Sequence, residues 1–252
     1  MYMSVDKFER KHAVVGGIVL ACIIIALVTL VSIGPVSEDD PKDSSVYNQD
    51  LDEGFDGLQY SIWNASDRNT LTVNYRGNYP VKSINNSVTI RASENASAEG
   101  YYQRPVHITN VEESQFEITE PTRFETVTIG DRYNAYGFVA TDTVEFQNSI
   151  LLVENKTNYT VKNADRAEFN DVVFEVNENP QNAHKTLHFE NVDRVEMEGV
   201  SVNSFEGIQI TLDNSTLVFD GQTVKEDVDT VYMCGSSSTN IEEGSELSIE
   251  EC

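Results

Sequence analysis

Down the second half of the chain a short phrase recurs, in which two apolar or small residues flank a polar one and a turn-forming residue closes the group. It reads ATDTVEFQNS from Ala140, NADRAEFND from Asn163, NVDRVEMEG from Asn191 and DNSTLVFDG from Asp213, with a fainter copy, NVEESQFEI, from Asn110. The flanking pairs are Val144/Phe146, Ala167/Phe169, Val195/Met197 and Leu217/Phe219, and the closing residues are Asn148, Asn170-Asp171, Gly199 and Asp220-Gly221. Copies that begin about 22–30 residues apart signal a solenoid whose neighbouring units stack.

Outside the phrase, short β-branched and aromatic runs alternate with Asn, Asp and Gly: Leu71–Val73, Ser87–Ile90, Thr126–Ile129, Ile150–Val153, Val172–Val176 and Ile208–Leu212. After the uncharged run that ends at Ile33 no amphipathic helical pattern exceeds two turns, so the body is predicted to be all-β. A sandwich gives evenly spaced strands, whereas a parallel β-helix also repeats the same turn after the same inward pair. Equivalent positions then stack ~4.8 Å apart. One inward column is predicted to hold Val144, Ala167, Val195 and Leu217, and a second Phe146, Phe169, Met197 and Phe219. Asn at the corners tolerates left-handed backbone, and stacked amides can bond in a ladder. From Arg68 onward there is room for roughly eight rungs of ~23 residues. In this pattern residues 110–221 resemble the right-handed, pectin-lyase-like β-helix superfamily, without the signature motif of any one family. An immunoglobulin-like β-sandwich is the alternative.

The N-terminal segment follows a different pattern. Residues Ala13–Ile33 carry no charge, and a helix of ~21 residues spans roughly 31 Å, the thickness of a bilayer's hydrocarbon core. The run is longer than the about 7–15 apolar residues of a signal peptide, and Pro35 follows the small residues Ser32 and Gly34 closely enough to disfavour cleavage. Cys22 sits mid-run, but Leu20 is too large for a lipoprotein motif. Lys7, Arg10 and Lys11 precede the run and acidic residues follow it, which places the N-terminus in the cytoplasm and the body outside. The expected order is a cytoplasmic tail (1–12), a transmembrane helix (13–33), an acidic stalk (34–57) and a β-solenoid with a C-terminal cap (58–252).

The formal net charge is −25, from 42 acidic and 17 basic residues. Nucleic acid is excluded as a partner, because phosphate binding needs clustered Lys and Arg. So acidic a surface resembles those of proteins from halophilic archaea and their viruses, where salt screens self-repulsion. Cys234 and Cys252, the two cysteines outside the span, would close a loop in an oxidising compartment. Glycosylation sequons occur at Asn64, Asn85, Asn95, Asn155, Asn158 and Asn214.

Chemistry is harder to find. The polar residue between each inward pair is Gln115, Glu145, Glu168, Glu196 and then Val218, so three glutamates should form an outward column. Asp142, Asp165 and Asp193 run beside them, with Arg166 and Arg194 close by. Carboxylates so spaced could take Ca²⁺, and the β-helix resemblance implies that acidic clusters in a groove can serve polysaccharide lyases or hydrolases. Repetition of one rung explains the same columns without any site. His184 and His188 would stand ~13 Å apart on a strand, too far to share a metal; His107 is isolated and His12 adjoins the membrane. Trp63 or Tyr101-Tyr102 should cover one end of the body or serve as a ligand platform, and the Cys234–Cys252 segment should cover the other end.

The expected function is that of a non-enzymatic, membrane-anchored surface protein whose faces bind protein or glycan or self-associate. The alternatives are a β-helix carbohydrate-active enzyme and a bactofilin-like polymerising scaffold.

Overall fold

The structure is a computed structural model; it describes residue 42 and residues 44–252 apart from 95, 97–105, 111–114, 131–134, 154–156, 177–186, 204–207, 221–227 and 241–247. The predicted tail and span, like Cys22 and His12, lie outside the described residues, and no described helix is long and apolar enough to cross a membrane. Met1–Asp39 and Asp40–Cys252 are separate units, and the β body belongs to the second.

The chain visits three sheets in a repeating order, and each strand pairs in parallel with its counterpart one circuit earlier and later. Sheet A holds β3 (Asn69–Val73), β6 (Val88–Ala92), β9 (Thr122–Glu125), β12 (Val144–Gln147), β15 (Arg166–Asn170), β18 (Arg194–Glu198), β21 (Thr216–Asp220) and β23 (Ser238–Thr239). Sheet B holds β4 (Gly77–Val81), β7 (Val106–Asn110), β10 (Thr128–Ile129), β13 (Ile150–Val153), β16 (Val173–Val176) and β19 (Ser201–Asn203). Sheet C holds β5 (Ser83–Ile84), β8 (Gln115–Ile118), β11 (Gly137–Ala140), β14 (Tyr159–Lys162), β17 (Leu187–Glu190), β20 (Ile208–Asp213), β22 (Val228–Cys234) and β24 (Ser248–Glu251). An all-β body of long parallel sheets is compatible with a β-solenoid.

Both inward columns of sheet A form as the phrase predicts. Val144, Ala167, Val195 and Leu217 align in register, as do Phe146, Phe169, Met197 and Phe219. Phe124, Phe146 and Phe169 stack with centroids 4.9 and 5.5 Å apart and nearly parallel rings. Phe138 of sheet C lies 5.5 Å from Phe146, and Phe174 of sheet B lies 6.1 Å from Phe169, so the three sheets meet in one aromatic core. Each ring is covered by its counterparts one circuit away, so it stabilises its neighbours on both sides.

The faint copy at Asn110 belongs elsewhere. Gln115 and Phe116 lie in sheet C, paired with Gly137 and Phe138. The sheet A strand at that level is β9, where Thr122 and Phe124 sit opposite Val144 and Phe146. Thr122 replaces the apolar first member of the pair, which hides this copy from the pattern, yet it is 2% exposed and points inward.

Two of the three corners are stacked and short, apart from the long connection 93–105 between β6 and β7. Between sheets A and B, Thr126, Asn148, Asp171 and Gly199 occupy equivalent places with φ of 59°, 49°, 52° and 63°. Between sheets C and A the set is Asn163, Asn191, Asn214 and Gly235, with φ of 50°, 53°, 48° and 63°. Asn191 Nδ2 donates to Asn163 Oδ1 at 3.0 Å, and Asn214 Nδ2 to Asn191 Oδ1 at 3.3 Å. Asparagine fits because its short side chain tolerates the left-handed region and carries both donor and acceptor. Gly199 ends the first column, and a Cβ there would stand 2.5 Å from Asp171 Oδ1.

The N-terminal boundary differs from expectation. Residues placed in the stalk form β1 (Val46–Asn48) and β2 (Glu53–Phe55), an antiparallel hairpin that extends sheet A through β3. Its acidic turn masked the two residues that dock it: Val46 is fully buried and Phe55 is 6% exposed. Asn48 anchors it further by donating to Asn69 Oδ1 at 3.0 Å. The helix α1 (Leu58–Asn64) follows and sets Leu58 and Ile62 into the same core. Hairpin and helix together cap this end, with Trp63 on the outside of the helix rather than under it; Tyr101 and Tyr102 lie outside the described residues.

Candidate functional site

The outer face of sheet A carries the predicted glutamate column. Glu145, Glu168 and Glu196 are in register, with Val218 beyond them. The residue before Glu145 is Arg123, not Gln115. Like charges stacked at strand spacing repel, and arginines answer each of them. Arg123 stands 2.7 Å from Glu125 and 3.6 Å from Glu145. Arg166 sits between two carboxylates, pairing through Nε with Glu168 and through its guanidinium with Glu196. Arg194 reaches Glu196 at 2.5 Å.

Two of the three glutamates respond in opposite directions. Hydrogen bonding to Arg166 holds Glu196 below the ordinary carboxylate value, with Arg194 adding to the effect. Glu168 is raised instead: burial dominates, the neighbouring Glu145 charge adds to it, and the attraction of Arg166 does not outweigh them. The Arg166 guanidinium, bonded to Glu196, is itself raised.

Asp142, Asp165 and Asp193 align at the C-to-A corner, two places before Val144, Ala167 and Val195. Asp142 is turned onto its own corner, where Oδ1 accepts the Thr143 N–H at 2.6 Å, and Asp165 and Asp193 are exposed. Among the described residues no three His, Cys, Asp or Glu side chains gather in a way that would hold a metal ion.

The other two outer faces differ in kind. On sheet B, Ile150 and Leu152 point outward yet are each 5% exposed, forming a satellite cluster with Ala135 against Val173. Glu175 borders that patch, and burial raises its pKa. His107 Nδ1 donates to the Gly130 carbonyl at 3.1 Å, a structural tie at the end of β7. On sheet C, Thr160, His188, Thr211 and Tyr232 form an uncharged stretch of an outward row that ends in Glu250. The Thr211 hydroxyl and the Gln209 side-chain oxygen are buried there without a hydrogen-bond partner. His184 lies outside the described residues.

Connections from sheet B to sheet C change length from circuit to circuit: residue 82 alone, then 111–114, 130–136, 154–158, 177–186 and 204–207; from A to B the one long connection is 93–105. Connections from C to A stay short, running 85–87, 119–121, 141–143, 163–165, 191–193, 214–215 and 235–237. Insertions in a repeat body collect along the edge that the stack does not constrain. Gly137 marks the tight start of one sheet C strand, where a Cβ would collide with the Asn158 carbonyl.

Of the sequon asparagines, Asn64, Asn85 and Asn214 are exposed, Asn158 is half-buried, and Asn95 and Asn155 lie outside the described residues. The Asn214 amide is engaged in the corner ladder, and its Oδ1 accepts from the Ser236 N–H at 3.0 Å. Cys234 and Cys252 are paired, with Cα atoms 5.0 Å apart, joining the end of β22 to the residue after β24.

Arg123 and Glu175 escaped the sequence reading. Arg123 is visible once TRFE is aligned with VEFQ, whereas nothing in the local sequence marks Glu175 as desolvated. No protein-family model, curated protein or solved structure matches the chain.

Proposed function

We propose that the chain is a single-pass membrane protein whose body, a right-handed parallel β-helix, is a non-enzymatic surface domain for adhesion, envelope structure or surface assembly. Right-handed crossovers are the rule where right-twisted strands connect in parallel. The observation that carries the reading is the engagement of Glu145, Glu168 and Glu196 by Arg123, Arg166 and Arg194, with Arg123–Glu145 and Arg166–Glu196 crossing from one circuit to the next. Acids tied in this way make a persistent, regular face rather than free general acids or metal ligands. The uncharged run Ala13–Ile33 with its basic flank, the paired cysteines and the sequons favour an exported body. The net charge of −25 favours a high-salt setting.

Protease shaving of intact cells, read by mass spectrometry, tests the placement. Release of peptides from residues 60–252, some carrying glycan, supports the external body. Complete protection, while a known surface protein is cut, sinks it and favours an internal scaffold. Turnover of any member of a polysaccharide panel that is lost in Asp165→Asn or Glu168→Gln would replace the structural role with a carbohydrate-active one.

A further inference from the structure

Large apolar side chains are exposed in only two places among the described residues. Leu51, Tyr60, Trp63 and Tyr75 all belong to the N-terminal cap and first circuit, at 39%, 37%, 56% and 53% exposure; Ile249 lies on the last strand. Single exposed hydrophobics such as Leu51 and Tyr75, which lie beyond opposite ends of β3, are ordinary, but an aromatic pair on one helix face is a surface feature. Within α1, Leu58, Ser61 and Ile62 face the core, so Tyr60 and Trp63, three residues apart, share the opposite face. Tyr60 is braced from behind by Phe55, edge-on at 5.8 Å. Leu51 occupies the hairpin turn and Tyr75 the first corner.

We infer that this outer face of the cap docks on the lipid bilayer that carries the chain, with Trp63 and Tyr60 in the headgroup layer. Such docking rests on the membrane anchor proposed for residues 13–33. Residues 34–45 separate the predicted span from β1, and at full extension they reach only roughly 40 Å, so the cap stays near the lipid. Tryptophan and tyrosine are the side chains that settle at a membrane interface, with an apolar body and a polar tip. Charge does not oppose the contact strongly. Among the described residues between 42 and 82 the exposed acids are Asp50, Asp52, Glu53, Asp56 and Asp67, and the exposed bases are Lys42, Arg68, Arg76 and Lys82. That near balance contrasts with 42 acids against 17 bases in the whole chain. Asn64 adjoins Trp63 on the same helix, so a glycan there would hold the cap away from the bilayer, and docking requires Asn64 to remain bare.

Trp63 is the one tryptophan in the chain, which makes its emission a direct reporter. The full chain is reconstituted in high salt into phosphatidylcholine vesicles, with plain or with brominated acyl chains. Docking predicts that brominated lipid quenches Trp63 emission by more than half, that acrylamide quenches it weakly, and that Tyr60→Ser reduces the lipid quenching. Emission indifferent to brominated lipid and freely quenched by acrylamide overturns the inference, and leaves the aromatic pair to a sugar or protein ligand. Alkaline extraction of the same vesicles reports on the anchor separately. A chain that resists extraction while Trp63 stays unquenched is anchored but not docked.

Discussion

The two faces of sheet A are made from the same strands and the same repeated phrase, yet copying acts on them in opposite ways. Inside, a repeated phenylalanine meets another phenylalanine one circuit away, and each copy adds contact. Outside, a repeated glutamate meets another glutamate, and each copy adds repulsion. The phrase resolves the conflict by repeating an arginine as well, as Asp165-Arg166 and Asp193-Arg194, set two residues back so that each guanidinium reaches the glutamate of its own strand and Arg166 also reaches that of the next. Repetition stabilises the inner face unaided, whereas the outer face needs a second, compensating column.

The sharpest way to break this contrast is at Phe146, which stacks on both Phe124 and Phe169. Phe146→Ala should lose about 3–5 kcal/mol in urea unfolding, at any salt concentration. Loss of less than about 1 kcal/mol would mean that the column can be interrupted freely. Reduction of Cys234–Cys252, or Cys252→Ser, should rank next at about 3 kcal/mol. Hydrogen exchange should place that loss in β22 and β24 and leave β12 protected.

The corner ladder lies between the two faces in strength. Asn191→Ala forces an alanine to φ 53° and removes two side-chain hydrogen bonds, for an expected about 1–3 kcal/mol. Asn191→Gly should recover the backbone part and not the ladder, so a glycine variant as poor as alanine would show that the amides carry the corner.

Arg166→Gln should have the smallest effect, about 0.2–1 kcal/mol, shrinking as salt rises. Its pH dependence separates the two carboxylates. Glu196 is depressed, so its contribution is present at neutral pH and is lost as pH falls through that lowered value. Glu168 is raised, so its ionised form opposes folding at neutral pH and the protein gains as it takes up a proton. Glu168→Gln should therefore be slightly more stable than wild type near neutrality, with the gap closing in acid through the ordinary glutamate value of about 4.3. Glu196→Gln should be slightly less stable there, its gap closing at lower pH. Identical profiles for the two variants would erase the distinction.

Repetition also decided what the sequence could reveal. Both inward columns, the glutamate column, the left-handed asparagine corners and the cysteine pair were legible because each is stated several times, or because the spacing leaves few choices. Gln115 was misplaced because NVEESQFEI shares letters with the phrase while TRFE, the true sheet A strand, lacks the leading Asn and the first apolar residue. Val46 and Phe55 were missed because they are single apolar residues in acidic surroundings, used once. Glu175 was invisible because its environment comes from Leu152 and its neighbours on other strands, which no local pattern announces.

The disulfide also sets how the body bears load. Tension applied at Cys252 crosses the sulfur bridge to Cys234, bypassing the chain between the two cysteines, so β24 carries none of the pull. The first strand loaded is β22, held along six paired positions of β20. Under tension the oxidised protein therefore yields from within its stack, and the reduced protein from its outermost strand.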